Sequence, residues 1–185
     1  DLLLVFFRQS EDGIRAARES RGLWDGYNRQ SLPRTHLAGL RRAAMDHGER
    51  LMVVAMTGAV GKTTTKDLLA AIFTPEGPTV APVGSYNSEV GVPLTVFRAD
   101  ESTRYRVIGM GADRVGNIEY LANIAHPDHG AILKVGTAHA GEFGGVDNIE
   151  RTKGELAEGV QPTGSLALNA DDERVLRMAS RSVAP

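Results

Sequence analysis

The sequence predicts an α/β fold, a mostly parallel sheet flanked by helices and built around a phosphate-binding P-loop. Three observations predict it. Short apolar runs alternate with amphipathic stretches, and the 21 glycines fall at the breaks between them. The runs rich in Val, Ile and Met lack polar alternation, as strands covered on both faces do. One Gly-Lys-Thr segment follows such a run and opens a helical pattern. In sheets of this kind ligands sit beyond the carboxyl ends of the strands, so the loops after strands are where chemistry is expected.

Residues 1–48 carry no chemical motif. Leu2–Phe7 reads as a strand, Gly13–Ser20 as a weak helix, Gly22–Pro33 as loop and Leu37–His47 as an amphipathic helix bearing Arg41 and Arg42. This region is expected to be an N-terminal remnant or linker with a helix, leading into a domain over 49–185. Strands are expected at Leu51–Met56, Thr79–Ala81, Tyr105–Met110, Ala131–Val135 and Ser165–Leu168. Helices are expected at Thr63–Phe73, where Leu68, Leu69 and Ile72 share helical spacing, and at Asn117–Ala125, Val146–Glu158 and Asp172–Ser180.

Composition narrows the function. The chain has 185 residues, 42% hydrophobic and 24% charged, enough for a real core. Its net charge of -2 and its 5% aromatic content argue against a nucleic-acid partner, which would need a basic surface or stacking platforms. The absence of cysteine excludes a disulfide framework, a thiolate zinc site and a cysteine nucleophile. The longest apolar runs, Leu2–Phe7 and Leu51–Met56, are far shorter than the roughly 18 to 20 residues of a membrane helix, so a soluble chain is expected. It starts at Asp1 without an initiator Met and reads as a piece of something longer.

The strongest chemical signal is Thr57-Gly58-Ala59-Val60-Gly61-Lys62-Thr63-Thr64-Thr65. Glycines let the backbone curl so that amides face phosphate oxygens, and the helix start adds partial positive charge. Lys62 neutralises the outer phosphates, and a Thr hydroxyl can hold magnesium. The position five before Gly61 is Met56, so the loop is shorter than the standard pattern.

That short loop, followed by Lys66, resembles the ATP loop of the Mur ligase family. The resemblance continues, in order, through Gly84–Thr95, Met110-Gly111-Ala112, Val135–His139 with Phe143-Gly144, Lys153-Gly154-Glu155-Leu156 and Leu168–Asp172. It covers about residues 50–180 and is nearest to the central domain of the members that join D-alanyl-D-alanine to UDP-N-acetylmuramoyl-tripeptide. It implies a cytoplasmic, monomeric, ATP- and Mg2+-dependent amide ligase acting through an acyl phosphate in peptidoglycan precursor synthesis. It further implies two flanking domains that this chain lacks, so the isolated chain is not expected to complete ligation.

By resemblance, Thr57, Gly58, Gly61, Lys62, Thr63 and Thr64 hold the nucleotide phosphates, Asn87 lies near phosphate and substrate, and Asn169 reads the adenine edge. Thr63 and His139 are implied metal ligands. Lys153 matches the lysine that the family carbamoylates, and it would join them in that form. Lys62, His139 and Lys153 are the implied catalytic residues. The chain departs from the pattern at four points. Gly109 stands where the family places a magnesium carboxylate, Ser88 where a second Asn is common, Lys134 where Asn is usual and Ala59 where a polar loop residue is common. His126 and His129 read as surface turn residues. Two other readings stay open: a folylpolyglutamate or cyanophycin synthetase-like ligase, and a nucleotide-binding module without ligase activity.

Overall fold

The computed structural model describes residues 33–41, 50–136 and 143–185. Residues 33–41 form helix α1. After it come β1 (Met52–Thr57), α2 (Lys62–Phe73), β2 (Thr79–Val80), α3 (Gly91–Phe97), β3 (Tyr105–Met110), α4 (Asn117–Ala125), β4 (His129–Ile132), α5 (Val146–Gly159), β5 (Ser165–Leu168) and α6 (Glu173–Arg177), which runs into a 3-10 turn at Met178–Arg181. The five strands form one sheet in the order β2-β3-β1-β4-β5, and every pairing is parallel. Helices cover both faces, as a parallel sheet joined by crossovers requires.

The two longest strands lie side by side and are buried almost throughout. Val53, Ala55, Ile108 and Met110 interlock with Val92 and Val96 of α3, Leu121 and Ile124 of α4, and Ile149 and Leu156 of α5. The edges differ. β2 has two residues, and β5 alternates exposed and half-buried positions along its length. The outer side of β5 is paired at one point, where the Leu166 amide donates to the Pro185 carbonyl at 3.1 Å.

Most elements fall where the sequence places them, and the departures have physical causes. The chain is already helical at Pro33, where the sequence predicts the end of a loop; the rest of the region before it, and residues 42–49, lie outside the described residues. β4 spans His129–Ile132 and not Ala131–Val135, because Val54 to Thr57 of β1 pair with those four residues and the chain then turns away. α3 went unforeseen because Gly91, Val92 and Pro93 are poor helix formers. Pro93 is nonetheless in the first turn, where its missing N-H costs nothing. Leu68 and Ile72 of α2 point outward, about 60% exposed, and Lys66 is the buried residue of that helix. Its last residue, Phe73, stacks on Tyr105 at a centroid distance of 4.8 Å.

The amino ends of β1 and β4 are fastened by Asp128, which is buried. It accepts from the Val53 amide at 2.8 Å, from Arg41 Nη2 at 2.9 Å and from Arg50 Nη2 at 3.3 Å. The two histidines read as surface turns are neither of them free turn residues. His126 closes α4 in a left-handed conformation with its carbonyl accepting from Arg41, and His129 lies on β4 with Nδ1 against Ser165 Oγ at 2.8 Å.

Candidate functional site

The P-loop leaves the carboxyl end of the central strand. Thr57, last in β1, pairs with Met110 on one side and Ile132 on the other, so the ends of β3, β1 and β4 lie level. The Thr57 side chain is fully buried and donates to the Met110 carbonyl at 2.9 Å, so it places the loop and offers no donor to a ligand. Gly58 is required sterically, because a β-carbon there would lie 2.9 Å from Leu133 Cβ and 3.2 Å from the Lys134 amide. The Ala59 amide donates to the Lys134 carbonyl at 2.8 Å, which seats the loop on the chain leaving β4. Gly61 turns into α2 with φ at 85°, a conformation that costs other residues energy. The amides opening α2, at Lys62, Thr63 and Thr64, precede any carbonyl of their own helix and face the loop's concavity.

Lys62 curls back so that Nζ donates to the Gly58 carbonyl, and burial lowers its pKa. Thr63 and Thr64 are exposed, with Thr63 Oγ1 3.3 Å from Ser85 Oγ. Lys66 spans to the Pro82 carbonyl at 2.7 Å, tying the helix to the start of the segment that carries Ser85 and Asn87. Asn87 lies against the end of β3. Its carbonyl accepts from the Gly111 amide at 2.7 Å, and a β-carbon on Gly111 would lie 2.7 Å from Asn87 Oδ1. Ser88 turns the other way, its hydroxyl accepting from the Gly91 amide at 3.3 Å at the start of α3.

Lys153 projects from α5 and is 6% exposed. Its amine has no hydrogen-bond or ion-pair partner among the described residues. Desolvation lowers its pKa to about 8, and the neighbouring Lys62 cation adds to the effect. An isolated lysine on an amphipathic helix would normally sit in solvent, and this one does not. Near neutral pH an appreciable fraction of it is the free amine, the form that reacts with carbon dioxide.

At the β5 end, Asn169 Nδ2 donates to the Leu133 carbonyl at 2.8 Å and Oδ1 accepts from the Asp171 amide at 3.0 Å. The amide side chain is thus fixed in place, with one donor hydrogen and one acceptor lone pair to spare. The helix cap is Asp172, which accepts from the Arg174 and Val175 amides and, through its other oxygen, from Val135 at 3.0 Å. His139 lies outside the described residues. The structure therefore brings the loop, Lys62, Thr63, Thr64 and Lys153 together, and sets Asn87 beside the end of β3.

A family model described as the Mur ligase middle domain matches residues 56–184. The chain belongs to the Mur ligase family. It is 49% identical over 134 residues to the UDP-N-acetylmuramoyl-tripeptide:D-alanyl-D-alanine ligase of Mycobacterium tuberculosis, covering 72% of this chain and 26% of that enzyme. The Escherichia coli enzyme of the same name is 34% identical over 128 residues, 69% of this chain and 28% of that one. Among solved structures, MurF from Acinetobacter baumannii superposes with a TM-score of 0.74 and 33% identity over 84% of this chain and 33% of that chain. MurF ligase from Thermotoga maritima in complex with ADP gives 0.63 and 31% over 77% and 33%. The chain therefore spans about a quarter to a third of the length of these relatives. The resemblance read from the motifs is the family found, and the five parallel strands flanked by helices are the fold expected of the middle domain of a Mur ligase.

Several residues that build the site carried no assigned role in the sequence. Ser85, Lys66 and Glu155 act through contacts between segments far apart in the chain, and no local spacing announces them. Glu155 lies within the Lys153-Gly154-Glu155-Leu156 run, but its burial comes from packing against the start of α4, which nothing in that run marks.

Proposed function

We propose that this chain is the nucleotide-binding middle domain of an ATP-dependent amide ligase that joins D-alanyl-D-alanine to UDP-N-acetylmuramoyl-tripeptide in the cytoplasm. The observation that carries the reading is the juxtaposition of a P-loop with the buried, partnerless Lys153, on a chain 49% identical to a ligase of that name. Amide formation of this kind needs the γ-phosphate, the substrate carboxylate and the incoming amine held in line. Lys62 and the opening amides of α2 hold the triphosphate, and Lys62 offsets charge that builds on the transferred phosphoryl group. Asn87 supplies an amide beside the phosphates. Asn169 uses its spare donor and acceptor toward the base.

The donor set suits magnesium brought in with the nucleotide. Thr63 offers an exposed hydroxyl at the helix start, and Lys153 is placed to become an anionic ligand as a carbamate, with His139 the third member of the set. Among the described residues no group of three or more acidic or histidine side chains is gathered to hold a metal ion, and Gly109 adds no carboxylate. Bound there, magnesium would neutralise phosphate charge as the phosphoryl group moves. The described residues account for the nucleotide, and the tripeptide and dipeptide sites are assigned to the length of such enzymes that residues 1–185 do not span.

Calorimetric titration of the chain with ATP and ADP tests the first part, and pentapeptide formation by this chain beside a full-length counterpart tests the second. Absence of nucleotide binding would overturn the proposal. Ligation by this chain at a rate similar to the full-length enzyme would refute the division of labour.

A further inference from the structure

Glu155 has no role in nucleotide binding, yet it is buried within the site's framework, 7% exposed. Its carboxylate leaves α5 and reaches the first turn of α4. Oε1 accepts from the Gly116 amide at 2.7 Å and Oε2 from the Glu119 amide at 3.0 Å. Burying a carboxylate is costly unless hydrogen bonds hold it, and these two amides are ones that a helix start leaves without carbonyls. The positive end of the α4 dipole adds to the attraction.

Side chains two residues apart on a helix diverge by about 200° around its axis. Glu155 and Lys153 therefore leave α5 on opposite sides, one toward α4 and the other toward the P-loop. α5 sits as a wedge between them. Beside Gly154, between the two, lies the Arg181 guanidinium, which a β-carbon there would displace and which donates to the Arg151 carbonyl at 2.9 Å. Arg181 thus lies behind the helix, and Glu155 ties it on the α4 side.

We propose that Glu155 is a positioning residue that sets the place of Lys153 in the nucleotide site by anchoring α5 to the amino terminus of α4. The proposal rests on the reading of Lys153 as a site residue given above. With the anchor gone, α5 can roll or slide, and Lys153 gains access to solvent while the P-loop, carried on β1 and α2, stays in place.

The test is acylation of the intact chain by an N-hydroxysuccinimide ester, with rates at each lysine read by peptide mass spectrometry in wild type, Glu155→Gln and Glu155→Asp. Lys153 is expected to react several-fold faster in Glu155→Gln and by an intermediate factor in Glu155→Asp, with Lys66 unchanged in both. A general loosening would raise Lys66 as well, so an equal rise at the two lysines overturns the proposal, as does an unchanged Lys153. If Glu155→Gln does not fold, Glu155→Asp decides by the same criterion. Protection of Lys62 by ATP in the wild type reads the nucleotide proposal separately, and its absence would sink that reading without changing how the Glu155 variants are judged.

Discussion

Gly109 opens directly onto Asn87: a β-carbon at Gly109 would meet only Asn87 Cβ, at 3.8 Å, among the described residues. Two residues further on the same Asn87 closes the space above Gly111. The end of β3 thus accepts a β-carbon at Gly109, the position where the family resemblance places a carboxylate.

Gly109→Glu is accordingly expected to fold and to tighten magnesium-dependent ATP binding, since an anionic oxygen would replace water near a divalent cation. It should also stiffen the strand slightly, because glycine is unfavourable there. ATP titrations at several magnesium concentrations check this, and an unchanged or lower magnesium dependence would show that the new carboxylate does not reach the ion.

Lys62→Ala should weaken nucleotide binding by about 1.5 to 3 kcal/mol, the worth of a charge-assisted contact, with little change in fold. Equal affinity of mutant and wild type in calorimetry would count against the phosphate-loop reading.

Lys153 gives the domain a pH dependence of definite sign. Its pKa is lowered from 10.5 to about 8, so between those values the unfolded chain holds a proton that the folded one has released. Stability therefore rises with pH across that window, and the penalty for burying the cation is present in full below it. Lys153→Met should raise the melting temperature at pH 7 and flatten its rise between pH 8 and 10. A wild-type melting temperature that stays level over that range would contradict the burial of this amine.

The sheet and most helices were legible in the sequence because each strand is a short apolar run bounded by glycine or a polar turn, and the P-loop punctuates the first of them. The site was legible only in part. Lys62 and Thr63 follow from the loop's local geometry, whereas the burial of Lys153 depends on α5 packing beside β1 and β4, which no spacing along the helix specifies. The resemblance implies that Thr57 helps to hold phosphate, but its hydroxyl donates to the Met110 carbonyl. Asp172, at the end of the Leu168–Asp172 run, caps the helix while Asn169 bonds to the Leu133 carbonyl. Such side chains choose between ligand and backbone according to neighbours contributed by other strands.

Arg106 sits in the core of β3 with one hydrogen bond, Nη2 to the Thr95 carbonyl at 2.6 Å, while Nε and Nη1 have no hydrogen-bond partner among the described residues. Burial and the nearby Arg41 lower its pKa to about 9. Arg106→Met should stabilise the domain by about 1 to 3 kcal/mol, because an apolar chain of similar length removes an unpaired buried charge. Urea denaturation would show it as a higher midpoint, and a lower midpoint would mean that the bond to Thr95 outweighs the cost of burial.

Asp172→Ala should cost about 1 to 2 kcal/mol by leaving the start of α6 uncapped and the Val135 amide without its acceptor. Burial pushes this carboxyl up, but hydrogen bonds from the Val135, Val175 and Arg174 amides outweigh that and hold it below the ordinary range. Its stabilising effect is present at neutral pH and is lost as pH falls through the lowered value. The difference in melting temperature between Asp172→Ala and wild type should therefore shrink in acid.

The two margins of the sheet offer little to another extended chain. β2 is a two-residue strand with Pro78 before it and Pro82 soon after, and β5 has its outer side met by the Pro185 carbonyl at Leu166. Aggregation by strand addition needs a flat run of free N-H and C=O groups, and short or covered edges deny it one. Among the described residues, then, a neighbouring chain meets only margins of two and four residues, while the two six-residue strands lie inside the sheet.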